Sequence, residues 1–347
     1  MAHQKESGEI ASHVSRLFQA AGFHDCIIEK DMVGIKLHVG EKGNSTHIRP
    51  EWVKPVIEGI RSKNALPFIT DTCVLYKSQR DNAVKHLILA AEHGFDMAGL
   101  NVPMIIADGL NGSDEKCVPI KGTHQREVSV ASTAVDANSL IFLSHITGHV
   151  AVGFGGTIKN MGMGFASKKG KLRQHAAMKP EIDERTCTGC GMCIKWCPAD
   201  AIAMKGDVAC IDSDQCIGCG ECMAVCRFNA VTHDWNKDSR LLQEIMAEHA
   251  LGVVTGKEGR VGYFNFLVNV TKDCDCWDVE QKALFPDIGV IAGTDPVALD
   301  TAALDLIEKR TGKSLREWGY PDIDLRIQIR HAEAVGMGTT NYELTEI

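Results

Sequence analysis

What the chain lacks narrows the field first. No apolar run in its 347 residues approaches the ~20 consecutive residues of a membrane span, so no spanning helix is expected. The start, Met1-Ala2-His3-Gln4-Lys5-Glu6, has none of the apolar core of a secretory signal. Basic residues are not in excess. There are 37 Lys and Arg against 45 Asp and Glu, a net charge of −8, and the two signs are interspersed. That balance argues against nucleic-acid binding, which needs a basic face. There is no 20–50-residue repeat and no low-complexity tract, which excludes a solenoid. A dinucleotide fingerprint is also missing. Gly153-x-Gly155-Gly156 follows a histidine loop instead of opening the first βα unit.

Cysteine, by contrast, is abundant. Fourteen cysteines without a secretory signal point to a reducing cytoplasm and to metal–sulfur chemistry. Two runs dominate: Cys187-x-x-Cys190-x-x-Cys193-x-x-x-Cys197-Pro198, and Cys216-x-x-Cys219-x-x-Cys222-x-x-x-Cys226. Such runs in tandem are the signature of a ferredoxin module with two [4Fe-4S] clusters. Three cysteines spaced this way wrap one loop around a cube, and the fourth ligand crosses over from the other run. Cys187, Cys190, Cys193 and Cys226 are therefore assigned to one cluster, and Cys216, Cys219, Cys222 and Cys197 to the other. Structural zinc prefers separated Cys-x-x-Cys pairs to triplets. Between the runs, Ala201–Met204 and Val208–Ile211 alternate as two short strands around a Gly206-Asp207 turn. Exposed clusters of this kind are oxygen-labile, so an anaerobic or microaerobic setting is expected.

The rest of the chain alternates strands with helices. Strands are expected at Met32–Val39, Pro67–Asp71, Pro103–Asp108, Ala137–Leu143, Gly262–Val270 and Ile288–Ala292. A small hairpin is expected from Cys117–Lys121 and Glu127–Val130. Helices are expected at Glu9–Ala21, Glu51–Lys63, Asp81–His93, Ser239–Ala250, Pro296–Arg310 and Asp324–Val335. This order predicts an α/β fold, a mostly parallel sheet with helices on both faces, interrupted by the bacterial-type ferredoxin module. The expected divisions are 1–180 and 236–347 for the host domain and 181–235 for the insert, whose ends must lie close together if the host sheet is to stay intact.

In open α/β sheets, ligands bind outside the carboxyl ends of the strands. The positions there are rich in chemistry: Lys36 and His38, Asp71 and Cys73, Asp108, His145 and His149, and Cys274-Asp275-Cys276. Cys274 and Cys276 share one face of an extended chain. They suit a soft metal or a third cluster, with Cys73 as a further ligand, or else two packed thiols. His149 leads a Gly-rich loop. Lys159 follows at the expected start of a helix, whose N-terminus favours an anion. His175 comes just before the cysteine runs. The alternative for this last stretch, with Lys168, Lys169, Lys171 and Arg173 nearby, is a solvated basic loop.

Several stretches carry a family likeness: Val33–Gly40, Thr70-Asp71-Thr72, Ile106–Gly109, Leu143-Ser144-His145 through Gly164, and Asp273-Cys274-Asp275-Cys276-Trp277. On these the chain resembles the iron–sulfur family known as domain of unknown function 362, which implies the fold and the clusters and no reaction. A local likeness speaks to chemistry. His149-x-x-x-Gly153-Phe154-x-Gly156-x-x-Lys159, with His175 beyond, is similar to the cofactor region of nickel-pincer lactate racemases. In that family the matching lysine holds a pyridinium-derived nucleotide, the later histidine ligates nickel, and the first histidine transfers protons. The family's second proton-transfer histidine is not matched here, and those racemases lack a ferredoxin insert.

The expectation is a cytoplasmic redox protein, an oxidoreductase by class. Its clusters would relay electrons between a redox partner protein and the strand-end site. His149, Lys159, His145, Cys274 and Cys276 are the candidates for chemistry there. Lys36, His38, Lys159, His175, Asp71 and Asp108 are the candidates for holding a small-molecule substrate, a third metal or an organic cofactor. Two other readings stand beside it: an isomerase-like enzyme with an organometallic cofactor, and an electron carrier with a docking domain.

Overall fold

The computed structural model describes residues 2–76, 78–175, 180–216, 222, 225–228, 230–232 and 239–347, with side chains from residue 8 onward. Cys219 lies outside them. The central sheet has six strands: β1 (Met32–Lys36), β2 (Leu66–Asp71), β3 (Met104–Ile106), β4 (Ser139–His145), β5 (Val261–Leu267) and β6 (Gly289–Gly293). Their order is β6-β5-β4-β1-β2-β3. Strands β1 to β5 run parallel, and β6 closes one edge antiparallel to β5. The expected α/β architecture is borne out.

Sequence explains the layering. β4 and β5 are nearly continuous apolar runs, buried along almost their whole length, as strands covered on both faces must be. Alternate side chains feed two separate cores. On one face Ile141, Leu143, Phe264 and Phe266 pack with Phe18 of the helix Ala2–Ala20 and with Trp52, Val56 and Ile60 of the helix Pro50–Arg61. On the other face Leu140, Phe142 and Tyr263 pack with Met246 and Ala250 of the helix Ser239–Val254 and with Val297 and Leu304 of the helix Pro296–Thr311.

Three local differences from the sequence reading bear on the site. β1 ends at Lys36, so His38 lies beyond the strand instead of on its face. The Gly-rich loop contains a tight antiparallel pair, Thr147–His149 with Gly153–Gly155. The basic stretch Lys168–His175 is a helix, with Lys171 and His175 both buried.

Between residues 181 and 232 the described residues form two short strand pairs. Ile202–Lys205 and Val208–Ile211 form the expected hairpin. Glu181–Ile182 pairs antiparallel with Val231–Thr232, so the segment's entry and exit strands meet. Its apolar cluster contains Cys193, Ile202, Ala209, Cys222 and Val231.

Candidate functional site

The chain lays β1, β2 and β3 outward on one side and then returns to lay β4 and β5 on the other. The switch therefore falls between β1 and β4, and their carboxyl ends frame a crevice. A cavity of about 580 Å³ opens there. Lys36, His38, Asp71, His145, His149, Lys159, His175, Cys274 and Cys276 all line it. Asp108 and Cys73 do not. The Asp108 carboxylate accepts the Cys73 backbone N–H at 2.9 and 3.1 Å, and the Cys73 thiol, pushed up to about 12 by burial, donates to the Gly109 carbonyl. Cys73 is thus no partner for the Cys274 and Cys276 pair.

Lys159 reaches the cavity from the helix Thr157–Gly162. Two glycines place that helix. A Cβ on Gly162 would stand 2.1 Å from the Met246 carbonyl oxygen, so only glycine allows this approach to the helix Ser239–Val254. A Cβ on Gly156 would stand 2.5 Å from Asp300 Oδ1. The Asp300 carboxylate fills the space, accepting the Thr157 N–H at 2.8 Å and the Ile158 N–H at 2.9 Å. The expectation that this helix start would hold a ligand anion is corrected: the anion is the protein's own. Among the described residues, the Lys159 ammonium makes no hydrogen bond or ion pair. Burial lowers its pKa to about 8; the Asp275 charge acts against this, and the Lys36 and Arg80 charges act with it.

The histidines divide into two kinds. His149 accepts the backbone N–H of Ala151 at 3.1 Å and of Val152 at 3.3 Å on Nδ1. Its neutral ring therefore carries the proton on Nε2. Burial, then the Lys159 and His175 charges, hold its pKa well below the usual imidazole range. His38 is set the same way, with its Nδ1 accepting the Gly40 N–H at 2.9 Å and its pKa held down by burial and by Arg80. His145 is different. Its Nδ1 meets Asp275 Oδ2 at 2.7 Å, and its Nε2 meets the Val268 carbonyl at 2.8 Å. Burial alone would lower its pKa, but Asp275 and these hydrogen bonds raise it. With both nitrogens engaged, His145 fixes Asp275 and is not placed to exchange protons with a ligand.

The remaining charged side chains are hydrogen-bonded. Lys36 Nζ lies 2.9 Å from both Asp71 Oδ1 and Asn160 Oδ1. Arg80 donates to Glu41 at 3.1 Å and to the Tyr76 hydroxyl at 2.7 Å. Lys171 donates to Thr72 Oγ1 at 2.7 Å and to the Ala166 carbonyl at 2.6 Å, with burial lowering its pKa to about 8. Arg80, Tyr76, Asn160 and Lys171 all line the cavity and were not singled out by the sequence reading. For Lys171 a signal existed: it stands four residues before His175, on one face of a helix.

Cys274 and Cys276 are joined in a disulfide. The loop carrying them is pinned elsewhere too. Glu41 N–H donates to the Asp275 carbonyl at 2.9 Å, Thr46 Oγ1 to Asp275 Oδ1 at 3.0 Å, and Tyr76 to the Cys276 carbonyl at 3.3 Å.

A second, small cavity is lined by Cys187, Cys190, Cys193 and Cys226, the set drawn from both cysteine runs. Backbone N–H groups point at sulfur nearby: Ala209 to Cys187 Sγ at 3.5 Å, Ala230 to Cys226 Sγ at 3.3 Å, and Ala201 to Cys197 Sγ at 3.2 Å. Converging thiols with N–H donors on their sulfurs fit an iron–sulfur cluster. Elsewhere His124, Glu248 and His331 come together, but the Glu248 carboxylate already accepts three backbone N–H groups, from Thr123, His124 and Gln125. It serves there as a loop anchor.

The family model described as "Domain of unknown function (DUF362)" matches residues 33–305. No curated protein matches the chain. Among solved structures, the lactate racemase apoprotein from Thermoanaerobacterium thermosaccharolyticum is 15% identical with a TM-score of 0.43, the match covering 81% of this chain and 52% of that one. A protein from Thermotoga maritima is 11% identical with a TM-score of 0.45, the match covering 88% of this chain and 59% of that one. The chain thus spans little more than half the length of either.

Proposed function

The chain belongs to the DUF362 family, and from the thiols that meet around one cavity we propose that it is an iron–sulfur redox protein whose strand-end cavity carries the chemistry. Residues 181–235 are read as a ferredoxin module inserted between 1–180 and 236–347. The meeting of its entry and exit strands supports this, because such an insert leaves the host sheet undisturbed. Cys187, Cys190, Cys193 and Cys226 would hold one [4Fe-4S] cluster. Cys216, Cys219, Cys222 and Cys197 would hold the other. When bound, the clusters supply one-electron transfer, which calls for a redox partner protein in a reducing cytoplasm.

The chain's own residues do the rest. His149, neutral with its proton on Nε2, is the group best set to donate a hydrogen bond to a ligand from that nitrogen. Lys36 and Asp71 neutralise each other at the cavity wall and position Asn160. His145 and Asp275 hold the loop of Cys274 and Cys276 in place.

The single observation that carries the redox reading is the set of four thiols from two separate runs around one cavity. Its test is anaerobic purification followed by iron and sulfide analysis. About eight of each per chain are expected from this ligand count. Protein purified without oxygen that holds zinc and no sulfide would remove the reading. A second reading, an isomerase-like enzyme, is favoured by one observation: His149, Lys159 and His175 line one cavity. Mass spectrometry of the intact chain tests it, since an organic group held on Lys159 adds mass at that residue.

A further inference from the structure

We infer that the strand-end cavity binds an organic anion, a carboxylate or phosphate group joined to an apolar body, with the Lys159 ammonium as its counter-ion. This rests on the cavity being the functional site and is independent of whether the clusters are present.

Among the described residues, two carboxylates line the cavity, and each already has its own cation: Asp71 has Lys36 at 2.9 Å, and Asp275 has His145 at 2.7 Å. Arg80 is taken by Glu41 at 3.1 Å. Lys171 is held by a hydroxyl and a carbonyl, and the Asp108 and Asp71 carboxylates act on its charge from nearby. Lys159 has no hydrogen bond or ion pair among the described residues. The wall therefore carries a cation that none of its carboxylates pairs with, the Lys159 ammonium. A cation taken out of bulk water without an anion beside it is costly, so an anionic ligand stabilises the site and a cationic one does not.

Another part of the wall defines the rest of the ligand. Val150, Val152, Met163, Leu242 and Met246 line it with apolar side chains. A bare inorganic anion would leave that surface against water. At about 580 Å³ the cavity falls within the usual ~300–1,000 Å³ range of small-molecule sites. A compact acid head with an apolar body fits both walls. His149, with its Nε2 proton, stands among the groups that would face such a ligand.

The probes are octanoate, octyl phosphate, octanol and octylamine, each titrated calorimetrically into the anaerobically purified full chain below its micelle concentration. Binding of octanoate or octyl phosphate is expected on the order of tenfold or more above octanol, with octylamine weakest, as a charge-assisted hydrogen bond requires. Whichever of the two anions binds tighter identifies the head group. Lys159→Met should remove the preference over octanol, and Lys159→Arg should keep it. The preference should fade as pH rises through about 8, where the ammonium gives up its proton. Equal binding of octanol and the anions by the wild-type chain overturns the inference without reference to any variant. So does a Lys159→Met chain that retains the preference. Iron and sulfide measured on the same samples separate this outcome from failure of the redox reading.

Discussion

The imidazole of His145 and the carboxylate of Asp275, 130 residues apart in sequence, meet at 2.7 Å with both side chains almost fully buried. The pair stands where the ends of β4 and the Cys274–Cys276 loop come together, and it locks one to the other. His145 also hydrogen-bonds the Val268 carbonyl, so the ring is satisfied only as an imidazolium.

His145→Ala should therefore cost about 3–5 kcal/mol of stability, because it leaves Asp275 buried without its counter-charge. The pH dependence follows from the two shifts. The His145 pKa is raised, so its contribution is complete below the ordinary imidazole range and is lost as pH rises through the raised value. The Asp275 pKa is held well below the usual carboxylate range, so its contribution is complete above that range and is lost as pH falls through the lowered value. Urea denaturation from pH 3 to 9 should show a plateau of stability that the variant lacks. A variant within about 1 kcal/mol of wild type, with the same pH profile, would show that the pair contributes little beyond the ordinary surface case.

How much of this was open to sequence reading depends on the range of the interaction. Local patterns announced themselves. The apolar run through Leu140 and Leu143 marked a strand, and the cysteine spacing groups Cys187, Cys190, Cys193 and Cys226, which line one cavity. The strand-end rule led to Lys36, His38 and His149, and the helix start after the Gly-rich loop led to Lys159; all four line one cavity. Pairings across the fold left no trace in a single sequence. Nothing near Thr157 shows that Asp300, 143 residues on, caps it. Nothing near His145 shows that Asp275 removes it from proton exchange. Lys171 was hidden for a different reason: basic residues in a row are usually solvated, and only the helix turns this one inward.

Asp300 sets the position of Lys159 at one remove. Its carboxylate accepts the Thr157 and Ile158 N–H groups and the Asn265 side-chain amide at 2.7 Å. Asp300→Ala leaves these buried donors unpaired and should cost about 2–4 kcal/mol. Burial, partly offset by these hydrogen bonds, pushes the Asp300 carboxyl up to about 6. The unfolded chain ionises nearer 4, so between these values the native state binds more protons and stability falls as pH rises. Asp300→Asn should abolish that slope. An unchanged slope in the variant would assign the acid-range titration to other groups.

The Cys274 and Cys276 pair offers the last test. Its loop is held by Glu41 and Thr46 on Asp275, by Tyr76 on Cys276, and by Gln281 on the Cys274 carbonyl at 3.3 Å. None of these contacts needs sulfur. Cys274→Ser with Cys276→Ser should therefore fold and keep its iron and sulfide. What it should lose is a redox equivalent. Opening a disulfide to two thiols takes up two electrons and two protons. Anaerobic titration with a one-electron donor, such as a reduced viologen, should accordingly consume two electrons fewer per chain in the variant than in wild type. Equal consumption would mean that the pair does not cycle, and would leave it as packing at the cavity wall. A deficit confined to the variant, with cluster absorbance unchanged, would place a two-electron couple against the same cavity that Lys159 and His149 line.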